Sequence, residues 1–182
     1  MILLDHRATK TQQEEGDIKL HYREMEDVFR LVNYVLMGTG VIYTGCRGIL
    51  YNPNDTAVMV REMLRVQELY KKCAGVRIRH EFVVITGDEL PARHRAQAIK
   101  EIAERFAAVY YWMGFQVVFG VVADSGRYGI HYAINTVNYH DGSKFQGGLN
   151  AYEKEHELLR TIVAEVKGAG ISPDYRELEY YG

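Results

Sequence analysis

The chain has 182 residues, of which 47% are hydrophobic, 25% charged and 12% aromatic; this is the sequence of one globular domain with apolar side chains enough for a core, and it excludes a disordered or fibrous protein. The net charge of −2 and the pI near 6.4 exclude strong non-specific nucleic-acid binding, which needs a surplus of Lys and Arg to displace counterions, but leave room for a local basic patch. No apolar run approaches the roughly 18 residues of a membrane span, and the two cysteines, Cys46 and Cys73, fit no CxxC or disulfide framework.

The opening MILLDHRATKTQQEEGD has too short an apolar stretch for a signal peptide, so the expected location is cytoplasmic. Residues 1–17, polar from His6 onward, read as a loose arm, and IKLHYR (18–23) alternates enough for a short strand. From Met25 to Met37 the spacing of Val28, Leu31, Val32, Val35 and Leu36 is helical, with Glu26 and Asp27 at the end where the helix dipole favours acids. Gly38 and Gly40 stop that helix, and VIYT (41–44) follows as a strand candidate. Asn54 or Asp55 caps a second helix running to about Cys73. RIRHEFVVIT (77–86) alternates, is rich in β-branched residues and reads as a strand. After GDELP a third helix covers about 92–112 and ends at Gly114. FQVVFGVVA (115–123) is almost wholly apolar, as a central strand buried on both faces should be. Following DSGRYG, IHYAINTVNY (130–139) forms the next strand and HDGS turns the chain. A last helix spans about 148–167, and 172–182 is a polar tail.

Residues 124–129 are too few for a helical crossover, so the two strands flanking them must form a hairpin. The expectation is therefore a single α+β domain over 1–182, with a mainly antiparallel central sheet and helices packed mostly on one face. Fourteen tyrosines, amphipathic and suited to half-buried positions, favour a binding surface.

Alternation puts His131, Ala133 and Asn135 on one face of their strand, and His80 on the face shared with Ile78 and Phe82. Asp124 closes the apolar strand just before the turn. A histidine or carboxylate at a central strand is where a divalent metal would be held over a sheet. The plainer reading is that each strand histidine is an ordinary packed residue and that Asp124 opens a turn.

The order and spacing of several segments resemble the relaxase/mobilization nuclease family, whose members nick DNA for conjugative transfer. The segments are EMLRVQELYKKCAG from Glu62, HEFVVITGDELP, AIKEIAERFAAVYYWMGFQVVFGVVAD and HYAINTVNYHDGSKF, with a weaker echo in NYVLMGTGVIYTGCRGI (33–49) and a final AYEKEHELLRTIVAEVKGAGIS. The resemblance implies a relaxase-like fold, a tyrosine on an early helix that attacks a DNA phosphodiester, and histidines holding a divalent cation that polarises the phosphate. Tyr34 stands where that nucleophile is expected, though beside Leu31 and Val35 it also fits simple packing. Registered on His131, the family's histidine motif falls on Val122, Asp124, Arg127, Gly129 and His131, so only an aspartate and one imidazole are kept. His80 is the first candidate for a further ligand and His140 the next.

The resemblance thus implies an eroded metal site, with Mg²⁺ or Mn²⁺ bound weakly or not at all. It makes Arg127, Asn135 and Lys144 the candidates for contacting a single DNA strand, bound weakly, although Arg127 also suits a solvated turn. The function expected is that of a relaxase-like protein from a mobile genetic element. The alternative is a non-catalytic module on the same fold that contacts a partner protein or acts as an accessory DNA-binding unit, with no membrane role.

Overall fold

The computed structural model describes residues 2–5, 22–50, 52, 55–86, 90, 94–124, 126–146 and 149–168, with the backbone alone for 2–5, 124, 149 and 150. In chain order the elements are β1 (Ile2–Asp5), α1 (Met25–Met37), β2 (Val41–Arg47), α2 (Thr56–Leu69), β3 (Ile78–Thr86), α3 (Arg95–Trp112), β4 (Val117–Asp124), β5 (Arg127–Asn135) and α4 (Leu149–Gly168). The strands form one sheet in the order β1-β3-β5-β4-β2, antiparallel at every pairing. The α+β class and the hairpin of β4 with β5 stand as expected.

Local chemistry accounts for the element ends. The Glu24 backbone N–H donates to the Asp27 carboxylate at the start of α1, and the Asp55 side chain accepts from the Val58 N–H to cap α2. Gly40, at φ +80°, turns the chain from α1 into β2 in a conformation that side chains rarely adopt. Strand β5 begins at Arg127 and ends at Asn135, whereas the sequence suggested 130–139. Beyond Asn135 the chain folds into a turn, held by Asn138, whose amide side chain donates to the Met113 carbonyl and accepts from the His140 N–H. The strand expected over 18–23 lies outside the described residues up to His21, and Tyr22, at φ 44°, is not in a strand. The loose arm falls outside them too, apart from β1, and so does the tail at 172–182.

Helices were expected mostly on one face; they divide two and two. Val117, Phe119 and Val121 of β4 and Ile130, Tyr132 and Ile134 of β5 pack against α3 and α4. Val118 of β4, Ala133 of β5 and Ile78 of β3 pack against α1 and α2. A strand apolar at successive positions has two faces to remove from water, and one layer of helices covers only one of them.

The α3/α4 face also encloses an ionic cluster. Arg79 lies 2.5 Å from Glu81 on its own strand and 3.1 Å from Glu155 on α4, and its guanidinium stacks 4.2 Å from the centre of the Phe145 ring. The Tyr110 hydroxyl donates to Glu81, and burial together with that carboxylate pushes its pKa well up. These bonds tie α3 and α4 to β3 and offset the cost of burying charge.

Candidate active site

The site lies on the sheet face beneath α1. Register and alternation bring its side chains together: Phe82 of β3 is directly opposite His131 of β5, and His80 is opposite Ala133, one diagonal step away. The His80 Nε2 and the His131 Nδ1 are 3.0 Å apart, a hydrogen bond in which one nitrogen carries the proton and the other accepts it. The two rings are nearly parallel, with centroids 5.2 Å apart, and Phe82 stacks on His131 at 4.2 Å. Tyr22 brings its hydroxyl to 3.5 Å from the His80 Nδ1.

Tyr34 completes the group from above. Its ring meets His131 edge-on at 5.1 Å and His80 at 6.0 Å, and the residue is 51% exposed, so one side of the phenol faces solvent. Gly120 of β4 makes this approach possible. It pairs with His131, and a Cβ built on it would stand 2.0 Å from the Val35 carbonyl oxygen. Because that position has no side chain, the α1 backbone rests directly on the sheet and the neighbouring Tyr34 comes within reach of the imidazoles.

Three residues singled out in the sequence, Tyr34, His80 and His131, therefore meet; the others do not join them. Asp124 closes β4 opposite Arg127, four residues along from Gly120, which places its backbone about 13 Å further along the strand; its side chain lies outside the described residues. Arg127 is exposed at the hairpin tip, on the same face of β5 as His131 by alternation. Asn135 is fully buried. Its amide donates to the Met63 carbonyl and the Gln116 side chain and accepts from the Gln67 side chain and the Val137 N–H, so it holds the core together and cannot touch a strand of DNA. Lys144 donates to the Val76 carbonyl and the Thr136 hydroxyl, and partial burial lowers its pKa. Its ammonium is engaged in the loop packing rather than held out to solvent. His140 packs against Tyr139, ring centroids 4.2 Å apart and tilted by 45°, in the turn beyond β5.

Sequence reasoning missed the parts played by Phe82, Gly120 and Tyr22. A glycine inside an otherwise apolar strand is a recognised sign of close backbone approach, and Gly120 carries that sign. Nothing in the sequence marks Tyr22.

The fold is thus an antiparallel α+β sheet with a half-exposed tyrosine set over paired imidazoles. The chain belongs to the relaxase family: the family model for the MobA/VirD2-like nuclease domain matches residues 38–167, from the end of α1 to the last turn of α4. Tyr34 stands four residues ahead of that span. No curated protein and no solved structure was found to match the chain. Among the described residues, no helix is long and apolar enough to cross a membrane.

The family uses a divalent metal, and the residues on this face fit one poorly. Among the described residues no three His, Cys, Asp or Glu side chains come together as a ligand group. His80 and His131 supply two imidazoles, already bonded to each other, and the ring next to His131 on its other side is Phe82, which has no lone pair to offer.

Proposed function

We propose that this chain is a relaxase-like protein of a mobile genetic element that binds single-stranded DNA weakly and has an eroded nicking centre. The observation that carries this reading is the company of Tyr34: two imidazoles and a phenyl ring, in place of a ligand set for a cation. A tyrosine hydroxyl is a poor nucleophile at neutral pH and needs a base or a cation at the phosphate. Without the cation, transition-state stabilisation falls by several kcal/mol, and each ~1.4 kcal/mol slows the reaction about tenfold. Binding does not share that dependence, because phosphate contacts rest on Lys and Arg. Arg127, exposed on the His131 face, is the cation best placed to follow a strand lying over the site.

The test is fluorescence anisotropy of pooled single-stranded oligonucleotides at low and moderate salt, with and without EDTA. The reading expects weak binding that falls steeply with salt, is indifferent to EDTA and is reduced by Arg127→Ala. One observation favours the second reading, a module that contacts a partner protein: Trp112, 79% exposed, and the exposed Met113 adjoin at the end of α3. Absence of DNA binding even at low salt would leave that reading in its place.

A further inference from the structure

In a chain of net charge −2, the turn from Tyr70 to Arg77 between α2 and β3 carries three cations and no acid. Lys71 and Lys72 are exposed and Arg77 is half-buried. The turn is fixed by its backbone: the Lys71 and Lys72 N–H groups donate to the Glu68 and Gln67 carbonyls, and the Arg77 Nε donates to the Gln67 side chain. Lys144 reaches in from the turn beyond β5 and donates to the Val76 carbonyl. Its pKa is lowered first by burial and then by the charges of Arg77 and Lys72, so these cations share one field. Among the described residues, none of Lys71, Lys72, Arg77 and Lys144 forms an ion pair with a carboxylate. Asp141, the acid nearest to Lys144 in sequence, accepts from the Ser143 N–H instead.

A column of rings stands beside this turn. Tyr111 and Tyr139 are stacked with centroids 5.8 Å apart, and His140, which is exposed, lies against Tyr139 at 4.2 Å. Tyr70 joins the column to the basic turn. Its hydroxyl lies 2.9 Å from the His140 carbonyl oxygen and 3.1 Å from that of Tyr139, its ring fills the space over Gly142, and Lys71 follows it in the chain. Cations just past a helix C-terminus complement the helix dipole, which accounts for Lys71 and Lys72 but neither for Arg77 nor for an imidazole left at the end of a stack.

We propose that this end of the sheet is a second contact surface for single-stranded DNA, where Lys71, Lys72 and Arg77 take phosphates and His140 stacks a base. An acidic peptide would match the cations alone; a nucleotide brings an anion and a flat ring together at every step. The proposal rests on the DNA-binding reading above and adds an anchor away from Tyr34. Arg127 opens β5, and Asn135, paired with Ile78 beside Arg77, closes it about 27 Å further along. A strand held at both ends of β5 is retained without any chemistry at Tyr34, so binding outlasts the erosion of the centre.

The experiment is fluorescence anisotropy of a mixed-sequence single strand long enough to span β5, titrated at several salt concentrations with the native chain, Lys71→Gln/Lys72→Gln, His140→Ala, His140→Tyr and Arg127→Ala. Lys71→Gln/Lys72→Gln should weaken binding and lower the slope of log affinity against log salt by about 1.4, since each phosphate contact on a single strand contributes about 0.7. His140→Ala should weaken binding roughly fivefold or more with the slope unchanged, and His140→Tyr, which keeps a ring, should retain the native affinity. On an abasic strand of the same length, which has the phosphates and lacks the bases, His140→Ala should have no effect. An equal loss on the abasic strand would overturn the stacking, and native affinity in both Lys71→Gln/Lys72→Gln and His140→Ala would overturn the surface. Polyglutamate that competes as well as DNA of equal charge would also overturn it, in favour of an acidic protein segment. The two readings separate in the same data. Weakening by Arg127→Ala alone would remove this surface and leave the DNA-binding reading standing, whereas weakening only by the variants at this end would keep the surface and remove the strand from over Tyr34.

Discussion

Gly120→Ala is the smallest change that should disturb both the fold and the candidate site. The added methyl would lie 2.0 Å from the Val35 carbonyl oxygen and 3.1 Å from its carbonyl carbon. Both are backbone atoms in the last turn of α1, so no rotamer change relieves the clash, and the end of the helix must recede from β4 by more than about 1 Å to restore ordinary contact. That movement loosens Val28, Leu31, Val32 and Val35, all buried against the sheet and α2. A gap of about 0.5–1 Å forfeits a quarter to a half of the dispersion attraction at each contact, and overpacking of this kind typically costs about 1–3 kcal/mol. The expected result is a urea midpoint lower by an amount equivalent to ~2 kcal/mol, with the denaturant slope unchanged. NMR should show the Tyr34-to-His131 ring contact weakened in the same variant. Gly168→Ala serves as a control, since a Cβ at Gly168 meets nothing within 4 Å and should leave stability unchanged or slightly raised. A Gly120→Ala chain within about 0.5 kcal/mol of native, the range of ordinary surface changes, would refute the close seating of α1 on β4.

Asn135→Ala strands the partners of a fully buried amide, and should cost about 3 kcal/mol in urea denaturation without altering the DNA affinity of the folded fraction. Arg79→Ala leaves the Glu81 and Glu155 carboxylates facing each other in the α3/α4 layer, and the expected loss is about 3–5 kcal/mol; a near-neutral result would mean that α4 is not held by this cluster. Burial pushes the Cys46 thiol up to about 12 from its ordinary 9.0, against a smaller opposing effect of Arg47. The folded state therefore keeps a proton that the unfolded chain gives up, so the stability from this group is intact below pH 9 and is lost as pH rises from there toward 12. A thiol reagent at pH 8 should label the exposed Cys73 quickly and the half-buried, high-pKa Cys46 much more slowly; equal rates would contradict the shielding of Cys46.

The elements were largely legible because their signals are local. The helical spacing from Val28 to Leu36 gave α1 its observed bounds, Asn54 or Asp55 was the expected cap of α2 and Asp55 is the one that serves, and the short DSGRYG link required the hairpin of β4 with β5. What depends on long-range register was not legible. Phe82 faces His131 only because β3 lies next to β5 in the sheet, an order that skips β4 in sequence and leaves no local trace. The two-sided distribution of helices was implied by the doubly apolar β4, but which helix covers which face depends on side-chain packing between distant segments. Of the residues that meet beneath α1, His80 and His131 were singled out from alternation, and Tyr34 from the resemblance to relaxases. Asn135 misled because a polar residue at the end of a buried strand looks the same in sequence whether it faces a ligand or, as here, bonds four partners inside the core.

The central claim is that a relaxase centre persists here in form while its chemistry is largely gone. Its most direct test is to incubate the native chain and Tyr34→Phe with pooled single-stranded oligonucleotides and Mg²⁺ or Mn²⁺, then to look for a covalent protein–DNA adduct by denaturing electrophoresis and mass spectrometry. The account predicts no adduct, or only a trace after long incubation, for the native chain and none for Tyr34→Phe. An adduct that forms readily with the native chain, requires the added metal and disappears in Tyr34→Phe would show a working nicking site and contradict the account.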